Sequence, residues 1–348
     1  MGCCALDQHT NPAAGWLPRV FGILLVAVGG YILLVGLPQR DSAPRLSWRR
    51  IDVIERGRPE FGSPAPAGAA DRLLRYRVSR GKDAALVLDV AEYRDSHDRP
   101  ARAMVYPAST APGDAGLRHD LWQEAMAAIR THTPADALFL GWWDNGQRVA
   151  YASGRPVWAG APAAELYPDA GQRSLWRELA GGFAENPANL KQLASWLLLD
   201  ADAALAEMAA QFPGRSVYLL ICLDDLARLT EIETAGGVMA GIETRLFPPA
   251  ANLHRQIAAV RQWTAAEGTG NYLVQRLGSG STRAWRIARP EATRSLLARL
   301  LPFTRSLAEP LHGATLVYQS AWGAYLSIYR LDFPAPAAAL SHWSSDTL

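Results

Sequence analysis

Trp142, Trp143 and Asp144 are consecutive, Gly146 follows two positions later, and Arg148 and Arg155 stand just downstream. These residue types can build a binding site. Two indoles wall a pocket and offer N–H donors, a carboxylate accepts from a hydroxyl or amine, and guanidinium groups take anions. The preceding Ala137-Leu-Phe-Leu-Gly141 is apolar. An apolar strand that stops at polar and glycine residues delivers side chains to the rim of a sheet, where sites form. We therefore take Trp142, Trp143, Asp144, Gly146, Arg148 and Arg155 as the candidate ligand-binding set. The structural alternative has one Trp in the core, Asp144 capping a turn, and the two arginines paired with surface carboxylates.

Other chemistry finds little support. Asp224 and Asp225 are adjacent carboxylates, but the start of a helix explains them without catalysis. Glu243, Arg245 and Pro248-Pro249 read as a rigid turn, and His254 is a lone helical histidine. Gly278-Ser-Gly280 lacks the strand-to-helix context of a phosphate loop. Ser153-Gly154 has no nucleophile elbow around it. The chain has three cysteines and no Cys-x-x-Cys, so neither a covalent haem, a zinc ribbon nor a dithiol centre is expected. Cys222 sits in an apolar run and reads as a small buried hydrophobe. No catalytic set, metal site or cofactor is expected, and a net charge of +2 gives no footprint for nucleic acid.

The elements that must position the candidate set alternate in type. Strands are expected at 83–93 and 101–106, a helix at 117–131 ended by Pro134, and a buried strand at 137–141. Helices follow at 172–183, through 199 from an N-cap at Asn186 with Pro187 in the first turn, and through 211 from a cap at Asp200 or Asp202. A buried strand at 217–222 leads into Asp224-Asp225-Leu226, then a helix at 251–266. Residues 272–275 and 283–287 pair as a hairpin, 291–301 is helical, and 315–320 with 325–330 form a last hairpin. This is an α/β pattern: a mixed sheet flanked by helices, with closing β-hairpins.

Residues 20–37 carry no charge, and Trp16 and Leu17 extend the run to the length of a membrane span. The run ends in Leu-Pro-Gln-Arg rather than a small-x-small cleavage site, so an uncleaved anchor is expected. The organisation is then a tail at 1–15, a transmembrane helix at 16–38, a linker at 39–70, a soluble domain at 71–333 and a flexible tail at 334–348. Arg40, Arg45, Arg49 and Arg50 follow the span, against Arg19 before it, and by charge alone they favour a cytoplasmic C-terminal bulk.

Gly141-Trp-Trp-Asp-Asn-Gly146 resembles the Trp-Trp-Asp-Tyr-Gly motif in the periplasmic or lumenal domain of oligosaccharyltransferase catalytic subunits. Trp142, Trp143, Asp144 and Gly146 match, and Asn145 replaces the tyrosine. Residues 197–211, 216–222, Asp224-Asp225-Leu226, Leu316-Val-Tyr-Gln-Ser320 and Leu326-Ser-Ile-Tyr329 extend the likeness more weakly. In that family the motif binds the acceptor hydroxyl, while the metal and catalytic carboxylates lie in a many-span membrane domain. One span cannot supply them, so the resemblance implies at most a peptide- or glycan-binding module.

A second resemblance spans nearly the whole chain. The anchor, Gly141-Trp-Trp-Asp-Asn-Gly146, Glu243-Thr-Arg-Leu-Phe-Pro-Pro249, Gly270-Asn-Tyr-Leu-Val274, Ala284-Trp-Arg-Ile287, Leu300-Leu-Pro-Phe303 and Val317-Tyr-Gln-Ser-Ala-Trp-Gly323 are similar to the hydroxylamine oxidation protein family HaoB. It implies a non-enzymatic accessory role in ammonia oxidation, with hydroxylamine oxidoreductase or associated cytochromes as partners. It also implies a single-pass inner-membrane protein whose soluble domain faces the periplasm. That orientation opposes the arginine distribution.

Overall fold

The computed structural model describes residues 46–58, 70–80, 86–108, 114–250, 252–266, 268–277 and 280–333. The expected anchor at 16–38 and the tails at 1–15 and 334–348 lie outside them, as do two residues of Gly278-Ser-Gly280. Among the described residues, no helix is long and apolar enough to cross a membrane. The chain divides into two compact units, Met1–Ser47 with Ser79–Ala84, and Trp48–Val78 with Ala85–Leu348. The described elements belong to the second, apart from the ends of β1 and β2 at Leu46-Ser47 and Ser79-Arg80.

The strands form three sheets. The first has the order β1-β2-β3-β4, from β1 (Leu46–Glu55), β2 (Arg72–Arg80), β3 (Leu86–Arg94) and β4 (Pro100–Val105). A cross-strand ion pair braces it: both nitrogens of the Arg75 fork meet the buried Asp89 carboxylate at 2.8 and 2.9 Å. Such bidentate geometry offsets the cost of burying the carboxylate. After α1 (Asp114–His132), β5 (Leu138–Leu140) enters a second sheet of order β10-β11-β6-β5. There β5 and β6 (Val217–Cys222) run parallel, while β11 (Leu326–Leu331) is antiparallel to β6 and to β10 (Ala314–Gln319). All six residues of β6 are buried, as a central strand requires. The third sheet, β7-β9-β8, comprises β7 (Ile242–Phe247), β8 (Tyr272–Arg276) and β9 (Thr282–Ile287).

Helices cover these sheets. They are α2 (Trp143–Ser153), α3 (Ala170–Ala180), α4 (Ala188–Leu198), α5 (Ala201–Gln211), α6 (Leu229–Gly236), α7 (Leu253–Ala266), α8 (Leu296–Leu300) and α9 (Ala321–Ala324). Their starts follow local chemistry. Asp169 accepts from the Gln172 N–H to cap α3, and Asp200 accepts from the Asp202 N–H to cap α5. Pro187 precedes α4, where it forfeits no helical hydrogen bond.

The mixed α/β class and the closing hairpin match the sequence expectation, with four differences. There are three sheets rather than one flanked sheet. β1 falls within 39–70, read above as linker, because its polar, arginine-rich sequence shows no clean alternation. Glu243 and Arg245 lie on strand β7 rather than in a turn. Only the two ends of β7 are buried, so it lacks the period-two pattern of a half-buried strand. The helix expected at 291–301 is also split. Ser295 is extended and its side chain accepts from the Ala298 N–H to start α8 afresh.

Candidate functional site

The Trp-Trp-Asp run is the first turn of a buried helix rather than a loop on a sheet rim. β5 ends at Leu140, Trp142 holds the non-helical N-cap conformation (φ −56°, ψ 151°), and α2 begins at Trp143. α2 stops where Gly154 takes a left-handed conformation (φ 68°). Trp142, Trp143, Asp144 and Arg148 are 1, 0, 5 and 7% exposed. Gly146 is equally enclosed: a Cβ there would lie 1.9 Å from the Ala159 carbonyl oxygen.

The polar atoms of the motif are engaged inside the protein. Glu231, on α6, is the hub. Its Oε2 lies 3.4 Å from both indole nitrogens, Trp142 Nε1 and Trp143 Nε1, and accepts from the Tyr167 hydroxyl at 3.0 Å. Its Oε1 accepts from Arg228 at 2.9 Å. Adjacent tryptophans on this turn thus bring two donors to one carboxylate. Asp144 pairs with Arg148 at 3.2 Å and stands 4.0 Å from Arg228. Arg148 also donates to Asn145 Oδ1 at 2.8 Å and lies over the rings of Tyr106 and Trp122 at 4.8 and 5.0 Å, while its Nε–H has no acceptor.

Asn145 ties this turn to the aspartate pair after β6. It donates to Asp225 Oδ1 at 2.8 Å, and the other Asp225 oxygen accepts from the Cys222 N–H at 2.7 Å. The cap reading of this turn therefore holds for Asp225. Asp224 accepts from the Tyr106 and Tyr325 hydroxyls and pairs with Arg118 at 3.2 Å. Burial pushes the Asp225 carboxyl up to about 8, against the pull of its N–H donors, with Asp144 and Asp224 adding to the rise. Asp225 is then mostly neutral at pH 7. The remaining carboxylates, Asp144, Asp224 and Glu231, face Arg118, Arg148 and Arg228 in equal number. Burial alone would lower Arg228 and Arg148, but Glu231 with Asp144, and Tyr106 with Asp144, hold them above the usual guanidinium value. Burial raises the Cys222 thiol and the Tyr106 and Tyr325 phenols, so none is a poised nucleophile or acid at neutral pH.

Further along α2 the surroundings are different. Gln147, Ala150, Tyr151 and Gly154, spaced as one helical stripe, line an open groove of about 1390 Å³. Its walls come from the β3–β4 turn (Arg94, Asp95, His97, Arg99), from Arg72, Glu92 and Arg102 on the first sheet, and from Arg155 and Arg177. Burial raises the phenols of Tyr93 and Tyr151, whose rings meet at 5.0 Å, to about 12. Among the described residues, no group of three His, Cys, Asp or Glu side chains is placed to hold a metal ion.

The profile of the family described as HaoA-associated protein HaoB matches residues 15–331. The chain belongs to that family. The HaoB family is associated with hydroxylamine oxidation, the setting the sequence resemblance implied. Among solved structures, the C-terminal globular domain of an oligosaccharyltransferase from Archaeoglobus fulgidus is similar at 12% identity. It covers 61% of this chain and 96% of that one, with a TM-score of 0.31. No curated protein matches.

In this HaoB-family chain the six candidate residues divide between two places. Trp142, Trp143, Asp144, Gly146 and Arg148 share one buried cluster. Arg155 lies on the groove, where its guanidinium donates to Thr133 Oγ1 and to the carbonyls of Arg130 and Thr133. Arg148 does not line the groove, so the two arginines do not make one anion site. Glu231, Arg228, Tyr106 and Arg118 escaped the sequence reading. The one local signal was Arg228 and Glu231 at i,i+3 beside the aspartate pair, a spacing too common to single out.

Proposed function

We propose that this protein is a membrane-anchored, periplasm-facing accessory protein of hydroxylamine oxidation. It works by contact with HaoA, the hydroxylamine oxidoreductase, or with its electron-transfer partners, and performs no catalysis of its own. Membership of a family named for its association with HaoA carries this reading. The uncharged run at 20–37 supports the anchor. The geometry fits a scaffold rather than an enzyme: the residues most suggestive of a site are spent on internal partners. A peptide or glycan at the Trp-Trp-Asp motif would have to displace Trp142 and Trp143 from Glu231 and Asp144 from Arg148.

The test is to solubilise the tagged full-length chain from its native membrane and identify what accompanies it. Recovery of HaoA or a multihaem cytochrome, with no haem or metal absorption from the purified chain itself, is the expected result. An intrinsic chromophore, or reproducible recovery without either partner, would overturn the reading.

A further inference from the structure

The groove along α2 has polar groups left over. Arg72 and Arg102 share the Glu92 carboxylate, with Arg102 also 3.6 Å from Glu178. Arg99 pairs with Asp95 and Arg94 with Asp98. Arg155 and Arg177 line the same groove, and among the described residues neither pairs with a carboxylate. Arg155 donates to neutral oxygens, and Arg177 lies over the Phe183 ring at 5.5 Å. Arg130 stands close enough to Arg155 to have its own charge disfavoured by it, after burial. Asp71, the remaining carboxylate of the lining, acts on Arg72, so the positive charge of Arg155 and Arg177 is left without a paired carboxylate among the described residues.

Gln147 supplies a second, independent observation. It lines the groove, is 4% exposed, and donates from Nε2 to the Ala180 carbonyl at 3.0 Å, which fixes the amide. Its Oε1 is buried without a donor. A buried acceptor left unsatisfied costs about 1–3 kcal/mol, so a small shift that brings this oxygen to the groove wall favours a ligand with an N–H or O–H. A simple anion matches the arginines and brings acceptors. An extended polypeptide brings backbone N–H groups for Gln147 and acidic side chains for Arg155 and Arg177. The volume of about 1390 Å³ exceeds the roughly 300–1,000 Å³ of small-molecule pockets and suits a chain segment.

We propose that this groove docks an extended, acidic segment of a partner polypeptide, held by Arg155 and Arg177 and placed in register by Gln147. The proposal rests on the reading that this protein works by contact with a partner, but it does not require that partner to be HaoA. The probe is a fluorescent Glu- and Asp-rich peptide of about ten residues, titrated against the full-length chain in detergent and followed by anisotropy. Its Lys-substituted counterpart is the control. Binding that weakens with added salt, and that falls about tenfold in Arg177→Glu, is the expected result. Arg155→Gln, which keeps a donor for the Arg130 and Thr133 carbonyls, should also weaken it. Unchanged melting and tryptophan emission will show that each variant is folded.

Equal binding of the Lys peptide, no loss in folded Arg177→Glu, or full displacement by millimolar sulfate would overturn the proposal, the last by reducing the groove to a simple anion site. Co-purification separates the two readings. If HaoA is recovered equally with Arg177→Glu and the acidic peptide binds nowhere, the groove proposal fails and the contact reading stands. If the peptide binds in the groove but HaoA is never recovered, the groove stands and HaoA is not the partner.

Discussion

Gly146→Ala separates a packing role for the Trp-Trp-Asp-Asn-Gly run from a ligand-binding one. In the middle of an ordinary helix this change stabilises by roughly 0.5–1 kcal/mol, because alanine has less backbone freedom to lose. Here the new Cβ would meet the Ala159 carbonyl oxygen at 1.9 Å and its carbon at 3.1 Å. Real contacts of this kind stay beyond about 3 Å, so α2 and the 159–160 backbone must separate by about an ångström. Backbone cannot rotate aside as a long side chain does. Both tryptophans, Asp144 and Arg148 ride on the shifted helix, so their bonds to Glu231 and to one another lengthen together. Overpacking a close-packed interior costs about 1–3 kcal/mol and sometimes more. Set against the propensity gain, the expected net loss is about 2 kcal/mol, or roughly 4–8 °C in Tm for a domain of this size. Thermal unfolding of the full-length chain followed by tryptophan emission measures it. A variant as stable as the parent, or more stable, would refute the close approach and reopen the glycine as a ligand contact.

Three further outcomes follow from the buried cluster. Glu231→Ala removes the acceptor of both indoles and the partner of Arg228, whose side chain is 21% exposed. A loss of about 3 kcal/mol is expected in urea unfolding, with altered tryptophan emission, and a change below 1 kcal/mol would remove Glu231 as the hub. Asp225 binds its proton up to about pH 8 when folded but only to about 3.9 when unfolded. In that window the folded state holds the extra proton, so stability should fall as pH rises from 5 to 8, and Asp225→Asn should lose that slope. Asp225→Asn should also be less stable at pH 5, because its amide must turn an N–H toward the donor of Cys222 or Asn145. A urea midpoint from the parent that rises with pH over this range would contradict the assignment. Of the three thiols in the chain, no more than two should react with a thiol reagent before denaturant is added, because Cys222 is 1% exposed and its thiol is held protonated. Reaction of all three in the folded protein would show that β6 opens.

What the sequence made legible was what local chemistry dictates. Pro134, Asp200 and Asn186-Pro187 mark helix ends by steric and capping effects that need no tertiary partner, and the corresponding helices end there. The apolar runs of β5 and β6 are strands for the same local reason. β1 and β7 were not legible, because their faces are half polar and their pairing is decided by distant neighbours: β7 exists only against β9, some forty residues on. At the site, residue types gave the cluster but not its direction. The strand-end reading delivered Trp142 and Trp143 to the rim of a sheet, whereas the chain turns helical at Trp143 and both indoles meet Glu231. A carboxylate nearly ninety residues away decides that orientation, and no local pattern records it.

The two faces of α2 can be told apart by asking which polar atoms remain free. A binding site must keep donors or acceptors unspent until the ligand arrives, because a bond already made inside the protein has to be broken first. On the inner face, the two indole N–H groups face Glu231, and the Asp144 oxygens face Arg148 and the Asn145 N–H. The idle groups there, Arg148 Nε and Trp122 Nε1, lie against one another's side chains, with Arg148 also over the Tyr106 ring. Three carboxylates against three guanidinium groups leave no net charge to attract a partner. Along the groove, Gln147 Oε1 is idle, Arg177 has no counter-charge among the described residues, and Arg155 has none either, its donors being met by neutral oxygens alone. The inner face has the composition of a site and the bonding of a core. It holds α2 rigid, and a rigid α2 gives Gln147 a fixed direction at the floor of the groove. By this argument the tryptophan pair serves recognition only through the helix it anchors, so substitutions in the inner cluster should lower stability and groove binding together. Arg177→Glu should lower binding alone.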